Sequence, residues 1–209
     1  MPRPRTLSST RLAEAALAVI DRDGLQGFTM RSVAQELGTG VMSLYRYVEN
    51  REQIERLVVD LVLGGISVEL PEEQEWSERI MLLAERVREA VASHPSIVPL
   101  LLVHRHASAS ILRLGEAFLA ALSAAGFEGT HRVVSFRALL SYLVGALQAE
   151  HLGPLSGPGT EALATLPVSE YPNLAATARA ARSVAVEMEF REGLAAVLCG
   201  LKTYCGSSG

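Results

Sequence analysis

Apolar residues recur every three to four positions along almost all of this 209-residue chain, and no stretch alternates apolar with polar residues for any length. That spacing is the period of a helix face, so the chain can bury its apolar surface only by packing helices together. The expected fold class is all-α. A first helix starts after Ser8 and Ser9, carries Leu12, Ala16, Val19 and Ile20 on one side, and stops at Gly24. Thr29 caps a short second helix with Met30, Val33, Ala34 and Leu37 facing inward, and Gly38 ends it. A third short helix over 40–46 carries Val41, Leu44 and Tyr45. Asn50 caps a fourth, whose stripe is Ile54, Leu57, Val58, Leu61 and Val62, and Gly64-Gly65 loosens its end. The charged stretch 69–78, with Pro71, reads as a linker. Further helices are predicted over 76–92, 97–103, 110–125, 132–151 and 183–201, the last with a stripe of Phe190, Leu194, Val197, Leu198 and Leu201. Segment 153–172 holds four Pro and three Gly and is predicted to be a long loop.

Hydrophobic residues make up 49% of the chain, which excludes a disordered polymer. No apolar run reaches the ~20 residues that span a bilayer: the 139–147 stretch is broken by Ser141, Tyr142 and Gly145. Polar Ser8, Ser9 and Thr10 follow Arg3 and Arg5 where a signal peptide needs apolar residues. A soluble, cytoplasmic protein with no membrane partner is expected. Cys199 and Cys205 have no His near them in sequence and read as free thiols rather than a zinc site. Residues 206–209, Gly-Ser-Ser-Gly, read as a tag remnant. Net charge is −4, but residues 1–56 carry eight Arg against seven acids, while the remainder carries 11 basic and 16 acidic residues. That asymmetry suits a small nucleic-acid-reading head on an acidic body.

The informative stretch is 29–51, Thr-Met-Arg-Ser-Val-Ala-Gln-Glu-Leu-Gly-Thr-Gly-Val-Met-Ser-Leu-Tyr-Arg-Tyr-Val-Glu-Asn-Arg. Two short helices meet at Gly38, a residue that accepts φ > 0 without penalty. Ala34 is small enough to let them cross closely, and Leu37 and Leu44 fill their shared core. This leaves Thr39, Gly40, Met42, Ser43 and Arg46 on an outer face, the one a helix-turn-helix presents to the major groove.

This stretch resembles the fingerprint of the tetracycline-repressor (TetR) family: a Thr cap, an Arg two residues on, an Ala-x-x-Leu-Gly turn, a Leu-Tyr-x-His/Tyr-Phe/Val run, then an Asn/Asp-Lys/Arg pair. Thr29, Arg31, Ala34, Leu37, Gly38, Leu44, Tyr45, Tyr47, Val48, Asn50 and Arg51 occupy those places. Tyr47 stands where His is commonest, and Gly40 where Ser is frequent. The resemblance implies an N-terminal three-helix DNA-binding domain, set here at 1–56, and a larger helical-bundle domain, 57–205, that binds a small-molecule effector and forms a homodimer. Gly193-Leu194, Gly200-Leu201 and the Ala-Gly-Phe run at 125–127 resemble the subgroup of the tetracycline repressor itself. A repressor released from a palindromic operator in double-stranded DNA is the implied function.

Physical chemistry assigns roles within that reading. The hydroxyls of Thr29 and Tyr47 suit phosphate oxygens, and Arg51 adds charge at a helix N-terminus that already favours phosphate. The Tyr45 ring packs against the sugar-phosphate wall or, alternatively, joins the core. Arg31, Thr39, Met42, Ser43 and Arg46 are the candidates for base edges. Arg3, Arg5 and Arg11 are solvated charge or a minor-groove arm. For the effector, Phe136, Leu140, Val144 and Gln148 share a helix face, and His104 and Phe118 are candidates to join them. The apolar faces of 132–151 and 183–201 serve a four-helix homodimer interface or the monomer core. No cofactor is expected, and no metal either: adjacent Glu150 and His151 point about 100° apart on a helix. No nucleophile motif, phosphate-binding glycine loop or paired-His helix marks an enzyme. The alternatives are a helix-turn-helix protein without an effector and a helical enzyme.

Overall fold

Two short polar caps fix where the first domain's helices begin. The Ser8 side chain accepts from the Arg11 amide at 3.2 Å and opens α1 (Ser9–Gly27), which is interrupted at Gly24, where φ is +68°. Asn50 accepts from the Gln53 amide at 2.9 Å, and the Gln53 side chain returns the contact to the Glu49 amide at 2.8 Å, opening α4 (Arg51–Leu63). Between them lie α2 (Met30–Glu36) and α3 (Val41–Leu44). The computed structural model describes residues 7–206, so Arg3, Arg5 and 207–209 lie outside the described residues, as does the side chain of Cys205.

The remaining helices are α5 (Trp76–Ala92), a 3-10 turn (Pro95–Ile97), α6 (Val98–Val103), α7 (Ala109–Ala124), α8 (Gly129–Leu152), α9 (Pro158–Ala164), α10 (Pro172–Ala181) and α11 (Val186–Gly206). Among the described residues there is no strand, and the all-α expectation holds. The chain forms two compact units. One comprises the chain up to Leu70 with Leu83–Phe118, the other Pro71–Leu82 with the chain from Leu119 onward. The boundary expected at 56/57 falls inside α4, whose buried residues Ile54, Val58 and Val59 pack it with α1.

Segment 153–172 is not one long loop. Pro158 and Pro172 stand in the first turn of α9 and α10, where a missing N–H costs nothing and a fixed φ suits the helix. Prolines that read as breakers are here helix starts. The third helix is also shorter than the predicted 40–46: α3 ends at Leu44, and the Tyr47 and Val48 amides close a turn onto the Leu44 carbonyl at 2.9 and 3.1 Å.

In the first unit, Leu12, Ala16, Val19 and Ile20 of α1 are buried with Val33, Ala34, Leu44, Val48, Ile54 and Val58. Each large aliphatic contributes about 1.5–3 kcal/mol of transfer free energy. Met30 and Leu37 are half-buried, so neither is among the fully buried residues of this core. Phe28 is fully buried, one residue ahead of the Thr29 cap, with buried Val33 four positions after that cap. Those are the positions of a hydrophobic staple, which fixes the angle at which the chain enters α2.

In the second unit, α8 packs against α11. Leu139, Leu143 and Leu147 of α8 are buried with Phe190, Leu194, Leu198 and Leu201 of α11. Tyr142 donates its hydroxyl to the Phe190 carbonyl at 2.8 Å, and its ring lies where a Cβ at Gly193 would be. Trp76 packs edge-on to Phe127, centroids 5.2 Å apart. Burial raises the Tyr142 phenol above its ordinary value, and Glu189 adds to the shift. The neutral phenol is the form the fold prefers, so this contribution is complete below the ordinary phenol range and is lost as pH rises through the raised value. Ultraviolet difference titration of the wild type against Tyr142→Phe should show one phenol ionising above the ordinary range; its absence would contradict the burial.

Candidate nucleic-acid interface

The face predicted to read DNA is built on an apolar pin. Leu44 is fully buried and Val48 nearly so, while the residues between and before them turn outward. Met42 is 78% exposed, Tyr45 48% and Tyr47 41%. Thr29, Arg31, Gly40 and Arg46 are exposed, and Thr39 and Ser43 are half-buried. Tyr45 is therefore outside the core. The turn itself needs glycine at one position: Gly38 has φ +65°, and its successor, Thr39, donates its amide to the Ala34 carbonyl at 2.9 Å. Thr29 Oγ1 accepts from the Ser32 amide at 3.0 Å while Ser32 Oγ accepts from the Thr29 amide at 2.8 Å, a reciprocal cap that holds the first of the two helices. Arg22 of α1 reaches Glu36 of α2 at 2.8 Å. Arg11, expected as solvated charge or part of an arm, is half-buried in α1.

Arg51 is held more firmly than the sequence suggests. Its Nε donates to Glu55 Oε1 at 2.8 Å, an Nη donates to the Leu25 carbonyl at 3.2 Å, and the guanidinium lies 4.8 Å from the centre of the Phe28 ring. The side chain nonetheless remains 44% exposed at the N-terminus of α4.

Behind this face lies a polar seam that sequence reasoning missed. Glu55 and His104 are 7% and 4% exposed, and His104 Nε2 donates to Glu55 Oε2 at 2.9 Å. Asp60 Oδ1 accepts from the Ser108 hydroxyl at 2.6 Å and from the Ser110 amide at 2.9 Å. An Arg113 Nη donates to the carbonyls of Leu63 and Gly64 at 3.3 and 2.9 Å, capping the end of α4. Arg86 holds the Ser67 and Glu69 carbonyls, both at 2.8 Å. Of the five buried polar side chains among the described residues, Glu55, His104, Ser108 and Ser110 lie in this seam; only Ser135 does not. The signal was available: Glu55 shares a helix face with Val58 and Val62, an acid inside an apolar stripe.

The effector candidates are divided between the two units. His104 is occupied by Glu55, and Phe118 is buried in the same unit, whereas Phe136, Leu140, Val144 and Gln148 belong to the other unit. Of those four, Val144 is buried and the rest half-buried. Cys199 is an exposed free thiol on α11. Glu150 and His151 join no metal-ligand cluster among the described residues.

The family model described as tetracyclin repressor-like, C-terminal domain, matches residues 70–205. The chain belongs to the TetR family. Curated relatives of this TetR chain include an HTH-type transcriptional regulator of Saccharopolyspora erythraea, 28% identical over 69% of this chain and 61% of that protein. The HTH-type transcriptional repressor DrrR1 of Streptomyces coeruleorubidus is 51% identical over 29% of this chain and 22% of its own. The chain thus spans less than two thirds of the length of either relative. Among solved structures, apo ActR of Streptomyces coelicolor superposes with a TM-score of 0.80 at 26% identity, covering 98% of this chain and 99% of ActR. ActR in complex with actinorhodin gives 0.79 at 25% identity, over 97% and 99% of the two chains. An N-terminal helix-turn-helix with a helical C-terminal domain is the fold of this TetR-family chain. Among the described residues no helix is long and apolar enough to cross a membrane.

Proposed function

We propose that the protein is a ligand-responsive transcriptional repressor that binds a palindromic operator as a homodimer and leaves it when a small molecule binds the C-terminal domain. The observation that carries this reading is the outward display of Met42, Tyr45, Arg46 and Tyr47 on a helix-turn-helix pinned by buried Leu44 and Val48. Large side chains are held out to solvent by a rigid element, the arrangement that base-edge and phosphate contacts require. We assign Arg31, Thr39, Met42, Ser43 and Arg46 to bases. Thr29, Tyr45, Tyr47 and Arg51 go to the backbone, and Gly40 lets it approach closely.

The reading head comprises α1–α4, and the effector-binding and dimerisation domain begins near residue 70, where the family match starts. Exposed Val133 and Val134 on α8 and Met188 on α11, on helices already paired within the chain, support a four-helix contact between two copies. ActR in complex with actinorhodin supports a small organic effector. Phe136, Leu140 and Gln148 are the residues proposed to meet it. Such a regulator reads DNA in the cytoplasm and is not expected to catalyse a reaction.

Footprinting on DNA flanking its own gene, at stated salt, tests the reading. A protected palindrome that a small molecule releases is the expected result. Weak, salt-sensitive binding everywhere would sink it. Within a protected site, Arg46→Ala should cost about 1–3 kcal/mol and relax preference at one base position. A loss that is uniform over all sequences would reassign Arg46 to phosphate.

A further inference from the structure

Four of the five buried polar side chains among the described residues gather at one seam, and that seam touches the reading head. A buried carboxylate is costly unless every lone pair finds a donor, and a buried ion pair seldom adds net stability over apolar residues of the same shape. What such a network supplies is a defined register. Glu55 has its two oxygens committed to different elements: Oε1 to Arg51 in the first turn of α4, Oε2 to His104 at the end of α6. The orientation of the carboxylate therefore depends on His104, and the Nε bond of Arg51 depends on the carboxylate. With Leu25 and Phe28 holding the far side, the guanidinium is fixed in one pose with an edge left open to solvent.

We propose that His104 is a positioning residue for DNA binding, acting through Glu55 on Arg51, so that the end of α6 sets how Arg51 is presented at the N-terminus of α4. The inference rests on the reading of the head as a DNA binder, and it deepens that reading by adding a residue that touches no DNA. A preorganised guanidinium meets phosphate without first losing its side-chain freedom; a released one must be ordered at the moment of binding. His104 was a candidate for the effector pocket on sequence grounds; its buried bond to Glu55 gives it this different task.

The test is a double-mutant cycle on operator affinity in the full chain. His104→Phe keeps a ring and removes the donor; His104→Gln keeps a donor. Expected is a loss of about tenfold for His104→Phe, one charge-assisted hydrogen bond's worth of order. His104→Gln should recover most of it. In an Arg51→Ala background, His104→Phe should change affinity by less than about twofold. Equal losses in both backgrounds, or no loss in either, would overturn the proposal. Exchange of the Arg51 Nε–H with solvent, followed by nitrogen-edited NMR without DNA, gives a second readout. It should be slow in wild type and fast in His104→Phe, with thermal melting confirming that the variant is folded. If the wild type protects no DNA, the functional reading fails, and this exchange rate alone decides the coupling: unchanged exchange refutes it.

Discussion

Phe28→Ala is expected to lower the stability of the protein by about 3–5 kcal/mol, the range for truncating a fully buried aromatic. Phe28 has no exposed surface, follows directly on α1, and carries the Arg51 guanidinium over its ring. Its loss removes the staple at the entry to α2 and one face of the clamp on Arg51, the latter worth a further ~0.5–1 kcal/mol at a partly exposed site. Denaturant unfolding gives the first number. Operator binding, measured where the variant is still folded, should fall as well, because the pose of Arg51 is loosened. Phe28→Leu keeps most of the apolar volume and should sit between wild type and Phe28→Ala. A loss below about 1 kcal/mol for the alanine variant would contradict the full burial of Phe28, since that is the cost of an ordinary substitution.

Gly193→Ala is the second large effect, and its sign opposes helix propensity. Glycine inside a helix ordinarily costs about 0.5–1 kcal/mol relative to alanine, so the replacement ought to stabilise α11. Here the new Cβ would overlap the Tyr142 hydroxyl and ring, and that hydroxyl is tied to the Phe190 carbonyl at 2.8 Å. Overpacking at such a contact costs about 1–3 kcal/mol. Because α8 and α11 are also the helices proposed to form the contact between two copies, sedimentation should show weaker self-association. Tyr142→Phe in the same chain removes the nearest clashing atom and should recover part of the loss. A Gly193→Ala variant more stable than wild type would show that α8 and α11 do not approach so closely.

Much of this was legible in the sequence because local rules and tertiary packing agree there. Thr29 and Asn50 announced two caps that the structure uses, Ser8 and Ser9 the start of the first helix, and Gly38 the turn. The helix at 76–92 has the predicted ends, and those at 110–125 and 132–151 start or finish within a few residues of prediction. The failures have particular causes. Pro158 and Pro172 read as breakers because one sequence does not distinguish a proline after a helix from one that begins it. Leu37 has the right period but sits at the end of its helix, where the chain turns away and leaves it half-buried. Glu55, an acid inside the apolar stripe of α4, marks an interior carboxylate, but its partner His104 lies 49 residues later. Contacts of that separation have no periodic signature. Of the effector candidates, Phe136, Leu140, Val144 and Gln148 come from one helix face, which fixes direction along α8 but not what lies opposite.

The edge-on packing of Trp76 against Phe127 has a practical consequence. The chain contains one tryptophan, and both rings belong to the same compact unit. Intrinsic fluorescence excited at the indole therefore watches the C-terminal unit alone, whereas far-ultraviolet dichroism sums the helices of both. Melts followed by the two signals coincide if the protein unfolds as one cooperative block, and separate if the other unit comes apart at its own temperature.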